Sequence, residues 1–321
     1  MSMKLSFAAA ALLLFTAMAQ AQPYPSKPIR LVVPFPPGGA VDTTARLISS
    51  SVSASLGQPF VVENRPGAGG GIAEDFVARA APDGYTLLYS VGSDMTTRKF
   101  LRKTPALDPL KDFTPLATAA GSVNCVVAGP SLPASSMKEL VEHVRRNPGK
   151  VTYGSSGISS FHHLMGEMLK QHGVDMVHVP YKGLAPAVTA LIGGEINVVL
   201  TNCGLAAPHA KDGKAKMLAV LEPQRYAGAP EIPTVGEVLP GFTPPMSWFG
   251  FFGPAEVPDP IVVKLNGEIG KALASPEVSA KLRYLYLNVI VTPPGELRGF
   301  IASTSDAFGR IVKAAGIQPV D

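Results

Sequence analysis

Short apolar runs alternate along this chain with longer stretches whose apolar positions return at helical spacing. Ile29–Pro34 predicts a buried strand, and the residues from Asp42 to Leu56 predict the helix after it. The same alternation continues with a strand at Pro59–Glu63, a helix at Ile72–Ala80 and a strand at Tyr85–Ser90. A second series starts at Val123–Ala128. It runs through a helix at Met137–Arg146, a strand at Val151–Tyr153, a helix at Ser159–His172, a strand at Met176–Val179 and a helix at Ala185–Ile192. Strands at Ile196–Leu200 and Met217–Val220 complete it. Strands separated by helices predict an α/β architecture with mainly parallel sheets.

Two such series predict two α/β lobes with a ligand cleft between them. The chain is expected to cross into the second lobe near Ala119–Ala128 and to return near Ala219–Arg225. That places residues 22–122 and 226–321 in the first lobe and 123–225 in the second. Pro-rich, irregular sequence follows the return, up to Pro260. Helical patterns then resume at Pro260–Leu273, Pro276–Leu285 and Pro294–Ala315. Two crossovers make a two-strand hinge, a geometry that permits rigid-body closure around a ligand. No repeat of solenoid length is present.

The N-terminus changes the compartment expected. Lys4 precedes an uncharged apolar run from Leu5 to Ala19, and Ala17-Met18-Ala19 and Ala19-Gln20-Ala21 both have the small residues of a signal-peptidase site. Pro23 and Pro25 break any helix directly afterwards. Residues 1–21 therefore read as a signal peptide cleaved near Ala19 or Ala21, and the mature protein is expected in the periplasm. A hydrophobic content of 46% against 16% charged residues supplies a sizeable core. No later run is long enough to span a bilayer. The formal charge of +4 is scattered, which argues against nucleic-acid binding and gives only weak steering of anions. Cys125 and Cys203 can be a disulfide or two separate buried side chains, and no spacing suggests zinc or another cofactor.

Two segments could carry binding chemistry. Pro34–Asp42 lies between a strand and a helix; Gly38 and Gly39 permit close backbone approach, and the free amides of the helix start form an anion site. Asp42 either caps that helix or bonds a donor on the ligand. Tyr153–His163 has the same place in the second lobe, with Gly154-Ser155-Ser156-Gly157 before the helix. Serine hydroxyls both cap helices and bind carboxylates. Other segments read as structural. Gly67–Gly71 lacks the ending of a phosphate loop and reads as a turn. Gly154–Gly157 is one residue short of a nucleophile elbow. His163 and Glu167 share a helix face with no third metal ligand in view. Trp248, Phe249, Phe251 and Phe252 read as core.

These segments resemble the substrate-binding proteins of tripartite tricarboxylate transporters, the Bug or TctC type. The matching stretches include Tyr24–Arg30, the Pro-Gly-Gly loop with Asp42, Val62–Gly70, Ala81–Leu87 and Lys111-Asp112-Phe113. Val177–Gly183, Pro186-Ala187, Pro233-Thr234-Val235 and Lys264-Leu265-Asn266 extend the match over the whole mature chain. The resemblance implies a type II periplasmic-binding fold and no catalysis. It also implies a small carboxylate ligand held by the two loops, and transient contact of a monomer with membrane transporter subunits. Phe161 and His162 stand where the family has small polar residues, and Thr201-Asn202 stands where it often has Asp-Asn. A carboxylate with an aromatic or otherwise apolar body is therefore expected. The candidate ligand-binding set is Phe35, Gly38, Gly39, Ala40, Asp42 and Ser93 from the first lobe. The second lobe supplies Ser155, Ser156, Gly157, Ser159, Ser160, Phe161, His162, Tyr181, Thr201 and Asn202. The alternatives are a receptor for a membrane signalling partner, an adhesion module, and an exported hydrolase. The hydrolase would use Ser155, Ser156, Ser159 or Ser160 with His162 or His163.

Overall fold

The computed structural model describes residues 24–101, 103, 107–158, 160–314 and 316–319; the expected signal peptide and Ser159 lie outside the described residues. In chain order the strands are β1 (Ile29–Val33), β2 (Phe60–Asn64), β3 (Thr86–Val91), β4 (Phe113–Ser122), β5 (Asn124–Ala128) and β6 (Thr152–Ser155). They continue with β7 (Val177–Pro180), β8 (Val198–Asn202), β9 (Lys216–Val220), β10 (Ser247–Pro254) and β11 (Leu287–Val289). The helices begin with α1 (Ala40–Leu56), α2 (Gly71–Ala78), α3 (Gly92–Leu101), α4 (Met137–Arg146), α5 (Phe161–Gln171) and α6 (Leu184–Ile192). The rest are α7 (Cys203–Lys211), α8 (Val235–Val238), α9 (Asp259–Ala274), α10 (Pro276–Tyr284) and α11 (Pro294–Ala314).

Two sheets form, one per lobe. The first runs β11-β4-β10-β3-β1-β2 and the second β7-β6-β8-β5-β9. Parallel pairing is confined to β2-β1-β3 and β7-β6-β8; every other pair is antiparallel. The sheets are thus mixed rather than mainly parallel, because the strands that carry the chain between lobes run against the βαβ units.

Local sequence accounts for the elements that the pattern predicts. In α4, Met137, Leu140, Val141 and Val144 are buried at i, i+3, i+4 and i+7, while the Ser136 side chain accepts from the Glu139 amide. Helix α1 ends where Gly57 takes a left-handed φ of 67° and its N–H donates to the Ser53 carbonyl. Strand β10 departs from expectation, since its sequence reads as irregular. All eight residues of Ser247–Pro254 are buried between β3 and β4, so neither face is polar and no alternation marks it. Its Trp248 indole fits because residue 92 is glycine: a Cβ there would lie 2.2 Å from the ring. Helices α3, α7 and α8 and strands β4 and β11 are likewise absent from the periodicity reading.

The chain enters the second lobe through Val123, between β4 and β5. It leaves later than the sequence suggests. Val220 bridges Thr234, and Leu221, Val235, Leu239 and Phe242 pack in the second lobe's core, so the return falls between Phe242 and Ser247. The last helix belongs to both lobes. Leu297 and Ile301 pack with Trp248 and Phe252, whereas Phe308 and Val312 pack with Phe161 and Val126. Cys125 and Cys203 are free thiols buried within one core cluster of the second lobe.

Candidate functional site

The lobes are closed on one another. The Phe161 amide, at the start of α5, donates to Oδ1 of Asp94 on α3 at 2.7 Å, which joins the second lobe to the first. Behind the cleft the Val123 amide donates to the Tyr286 carbonyl at 3.0 Å, and Tyr226 Oη donates to the Arg283 carbonyl at 3.0 Å. At the rim, a Cβ added to Gly183 would lie 3.2 Å from Pro36 Cδ, so the two lips are in contact.

Between the lobes lies a narrow pocket of about 30 Å³ in this closed form. The first lobe contributes Phe35, Gly39, Ala40 and Val41 from the β1–α1 junction, Val91 from β3, and Ser247 and Phe249 from β10. The crossover contributes Ser122 and Asn124; the second lobe contributes Ser156, His162, Leu184 and Asn202. Among the described residues no Asp, Glu, Lys or Arg lines it. A larger and more open space beside it, about 260 Å³, is bounded by Phe35, Gly67–Gly70, Ser156–Ile158 and Pro180–Lys182.

The first-lobe end is a helix start without a side-chain cap. Thr43 N–H donates to the Gly39 carbonyl at 2.9 Å, so the amides of Gly39, Ala40 and Val41 precede the helical ladder. Asp42 is not spent on the cavity. Its carboxylate accepts from the Gly38 amide at 3.0 Å, from Arg46 Nε at 3.0 Å and from Asn64 Nδ2 at 2.9 Å. Burial raises its pKa, but these donors outweigh burial and hold the carboxyl below its usual range. Gly38 itself takes a φ of 88°, which favours glycine, and it shapes the loop without lining the cavity.

The second-lobe end is occupied differently. The Ser160 side chain caps α5 by accepting from His163 N–H at 3.2 Å, and Asp94 takes the Phe161 amide. Burial pushes the Asp94 carboxyl up to about 7 against that amide's opposing pull. The Phe161 ring faces Phe308 in the core rather than the cavity. Burial holds His162 neutral, its pKa down to about 3. Its Nδ1 lies 3.2 Å from Ser156 Oγ and its Nε2 3.1 Å from Asn124 Oδ1.

The structure therefore brings six of the expected residues to the cavity wall: Phe35, Gly39, Ala40, Ser156, His162 and Asn202. Gly157 and Tyr181 stand at the opening. Ser93 is buried against Ser247, Oγ to Oγ 3.3 Å. Ser155 turns to His178 Nε2 at 2.6 Å, and Thr201 is buried in β8 with its hydroxyl unpartnered. Sequence reading missed Ser122, Asn124, Ser247 and Phe249, which come from the crossover and from β10. Among the described residues no hydrolytic triad forms. His162 meets a carboxamide where an acid would be needed, and the His178 ring is stacked between Tyr153 and His163. Among the described residues no cluster of three His, Cys, Asp or Glu side chains could hold a metal, and no helix is long and apolar enough to cross a membrane.

Comparison with known proteins places this geometry. The family described as the tripartite tricarboxylate transporter family receptor, TctC, is matched over residues 44–317. Protein BugT of Bordetella pertussis is 33% identical over 303 residues, which cover 94% of this chain and 93% of BugT. The periplasmic binding protein BugD superposes with a TM-score of 0.87 at 32% identity, covering 92% of this chain and all of BugD. An R. palustris protein solved with adipate gives 0.89 at 33% identity over 92% of this chain and 100% of its own. MatC from Rhodopseudomonas palustris, solved with bound malate, gives 0.85 at 32% identity over 90% and 100%.

Proposed function

We propose the following role for the chain, which belongs to the tripartite tricarboxylate transporter receptor family: outside the cytoplasm it captures a small carboxylate between its lobes and delivers it to the membrane subunits of a transporter. The observation that carries this reading is the uncapped start of α1, which opens into a pocket between the lobes with apolar walls. Amides ahead of the helical ladder, at the positive end of the helix dipole, favour an anion. Phe35, Val91, Leu184 and Phe249 offer the rest of the ligand a dry, apolar surround. Each hydrogen bond to a charged oxygen contributes about 1.5–3 kcal/mol, so two or three of them with apolar burial reach the roughly 8 kcal/mol of a micromolar site. Adipate and malate, the molecules named with two similar structures, are both carboxylates.

Native mass spectrometry of freshly purified protein, followed by calorimetry against a carboxylate panel, tests the reading. A retained anion that calorimetry reproduces is expected; a retained cation or sugar, with no carboxylate bound, would sink it. Export is tested by N-terminal sequencing of the periplasmic protein, which is expected to begin at Gln20 or Gln22.

A further inference from the structure

One glycine at the seam between the lobes has no backbone reason to be glycine. Gly204 is the second residue of α7, and its φ lies outside the left-handed region. Inside a helix glycine is the least favourable residue after proline. The surroundings of Gly204 explain its presence. A Cβ at this position would lie 2.9 Å from Leu285 Cα, and closer still to the carbonyl carbon and oxygen of the same residue. Those are backbone atoms, which cannot turn aside as the end of a side chain can.

Leu285 and Gly204 belong to different lobes. Leu285 packs on the first lobe's core beside Leu282 and Leu287, whereas Cys203 and Ala206, on either side of Gly204, are buried in the second lobe's. Further contacts join the same segments. The Val123 amide donates to the Tyr286 carbonyl at 3.0 Å, Tyr226 Oη donates to the Arg283 carbonyl at 3.0 Å, and the Tyr226 and Tyr286 rings are 5.0 Å apart. The Cys203 amide donates to the Val123 carbonyl at 2.9 Å, so the seam lies at the crossover. The glycines of the outer lips differ. A Cβ on Gly69 would meet the Ile158 carbonyl oxygen, and one on Gly183 the Pro36 ring, each at 3.2 Å, a spacing that small shifts relieve. At both, φ values of 62° and 132° already call for glycine.

We infer that Gly204 is a positioning residue for ligand capture. The closed arrangement of the lobes, and with it the pocket, requires α7 and residue 285 to meet backbone to backbone, and a side chain at position 204 holds the lobes apart. Asn202, two residues before Gly204, lines the pocket, so the seam continues into the pocket wall. A wedge beside the crossover is magnified at the rim, where Gly183 meets Pro36. A ligand that needs the closed form is then bound more weakly in proportion to the closed fraction lost. The effect on capture rests on the carboxylate-capture reading; the effect on closure does not.

Hydrogen exchange at the Phe161 amide, followed by NMR, reads closure without a ligand. As the first residue of α5 it has no intrahelical acceptor, and its bond at 2.7 Å is to Asp94 of the other lobe. In Gly204→Ala this amide is expected to exchange at least about tenfold faster than in the unaltered chain. Gly129→Ala is the control. Its Cβ would lie 2.9 Å from the Leu191 carbonyl oxygen, a clash within the second lobe that strains one lobe and leaves closure unchanged. Unchanged exchange in folded Gly204→Ala, or equal acceleration in Gly129→Ala, would overturn the inference. If Gly204→Ala does not fold, Tyr226→Phe removes only the bond to the Arg283 carbonyl and is expected to speed the exchange about two- to tenfold. Unchanged exchange there overturns the role of the seam. Calorimetry with hexanoate, adipate, malate and benzoate reads capture. The tightest binder of the unaltered chain is expected to lose at least about tenfold in affinity in Gly204→Ala and to keep its affinity in Gly129→Ala. Affinity unchanged in Gly204→Ala would overturn its role in capture. Accelerated exchange in Gly204→Ala, with none of the four bound by the unaltered chain, would overturn carboxylate capture and leave the closure role standing.

Discussion

The two strand-to-helix junctions that face the cleft look alike in sequence and occupy equivalent places in the two lobes, yet their helix starts are satisfied in opposite ways. At α1 the N-cap is Gly39, which has no side chain to offer, and the amides after it are left ahead of the ladder. At α5 the Ser160 hydroxyl takes one amide and a carboxylate from the other lobe takes another. A glycine/serine loop before a helix is thus compatible with an open anion seat or with one already filled by the protein. The residue that fills the second seat, Asp94, lies 67 positions before its partner and gives no local signal. In the first lobe the acid nearest the helix start, Asp42, is bound back by Gly38, Arg46 and Asn64 instead of competing for the seat.

The comparison breaks most visibly at Phe161. Its ring is 1% exposed and packs on Phe308, so Phe161→Ala is expected to cost about 3–5 kcal/mol of stability. Chemical denaturation measures it. A loss under about 1 kcal/mol, with altered ligand preference, would show that the ring belongs to the cavity after all.

At the other junction a sharper substitution is available. Ala40 is the first residue of α1, where proline suits a helix, and Gly39 at φ −77° and ψ 169° already has the extended backbone that must precede a proline. Ala40→Pro therefore removes one amide donor with little disturbance of the helix. Carboxylate affinity is expected to fall about 10- to 100-fold, the loss of one charge-assisted hydrogen bond of about 1.5–3 kcal/mol, with the melting temperature nearly unchanged. Unchanged affinity in a folded variant would move the anion seat away from α1.

Asp94 is the device that distinguishes the second junction, and pH reads it. Burial raises its carboxyl to about 7 in the folded chain, well above the usual value near 3.8. Between those values the folded state holds a proton that the unfolded state has lost, so this group's contribution to stability declines as pH rises through about 7. Glu222, raised to about 7 by burial at the crossover, acts in the same direction. Asp94→Asn keeps an acceptor for the Phe161 amide and removes the titration. Its melting temperature is expected to fall less between pH 5 and 8 than that of the unaltered chain, by about 2–4 °C, the shift that about 1 kcal/mol produces. Parallel slopes would mean that Asp94 stays charged throughout.

Much of this was legible beforehand, and the gaps have physical causes. Alternating strands and helices announce two α/β lobes, and Gly38-Gly39 announces an open helix start. Periodicity fails at β10 because a strand buried on both faces has no polar phase. It is also blind to the split between Trp248 and Phe249. Neighbours on a strand face opposite sides: Trp248 packs in one core cluster, whereas Phe249 packs in another and also borders the cavity. The resemblance alone draws attention to Thr201, but the same alternation buries Thr201 in β8 and leaves Asn202 on the wall. Ser122 and Asn124 belong to the site only because the crossover passes beneath it, and no spacing between residues 122, 156 and 202 encodes that.

Ser160 gives the smallest expected effect and the finest division of labour within one loop. Its side chain is 2% exposed and accepts from His163 N–H at 3.2 Å, while its neighbour Ser156 lines the cavity. Losing a serine N-cap costs about 1 kcal/mol of stability. Ser160→Ala should therefore lower the denaturation midpoint slightly and leave carboxylate affinity within about twofold, because the amide it releases faces a helix turn and not the ligand. A tenfold loss of affinity with normal stability would reverse the assignment: the second junction would then be an open seat like the first, and the carboxylate would be held from both lobes rather than from α1.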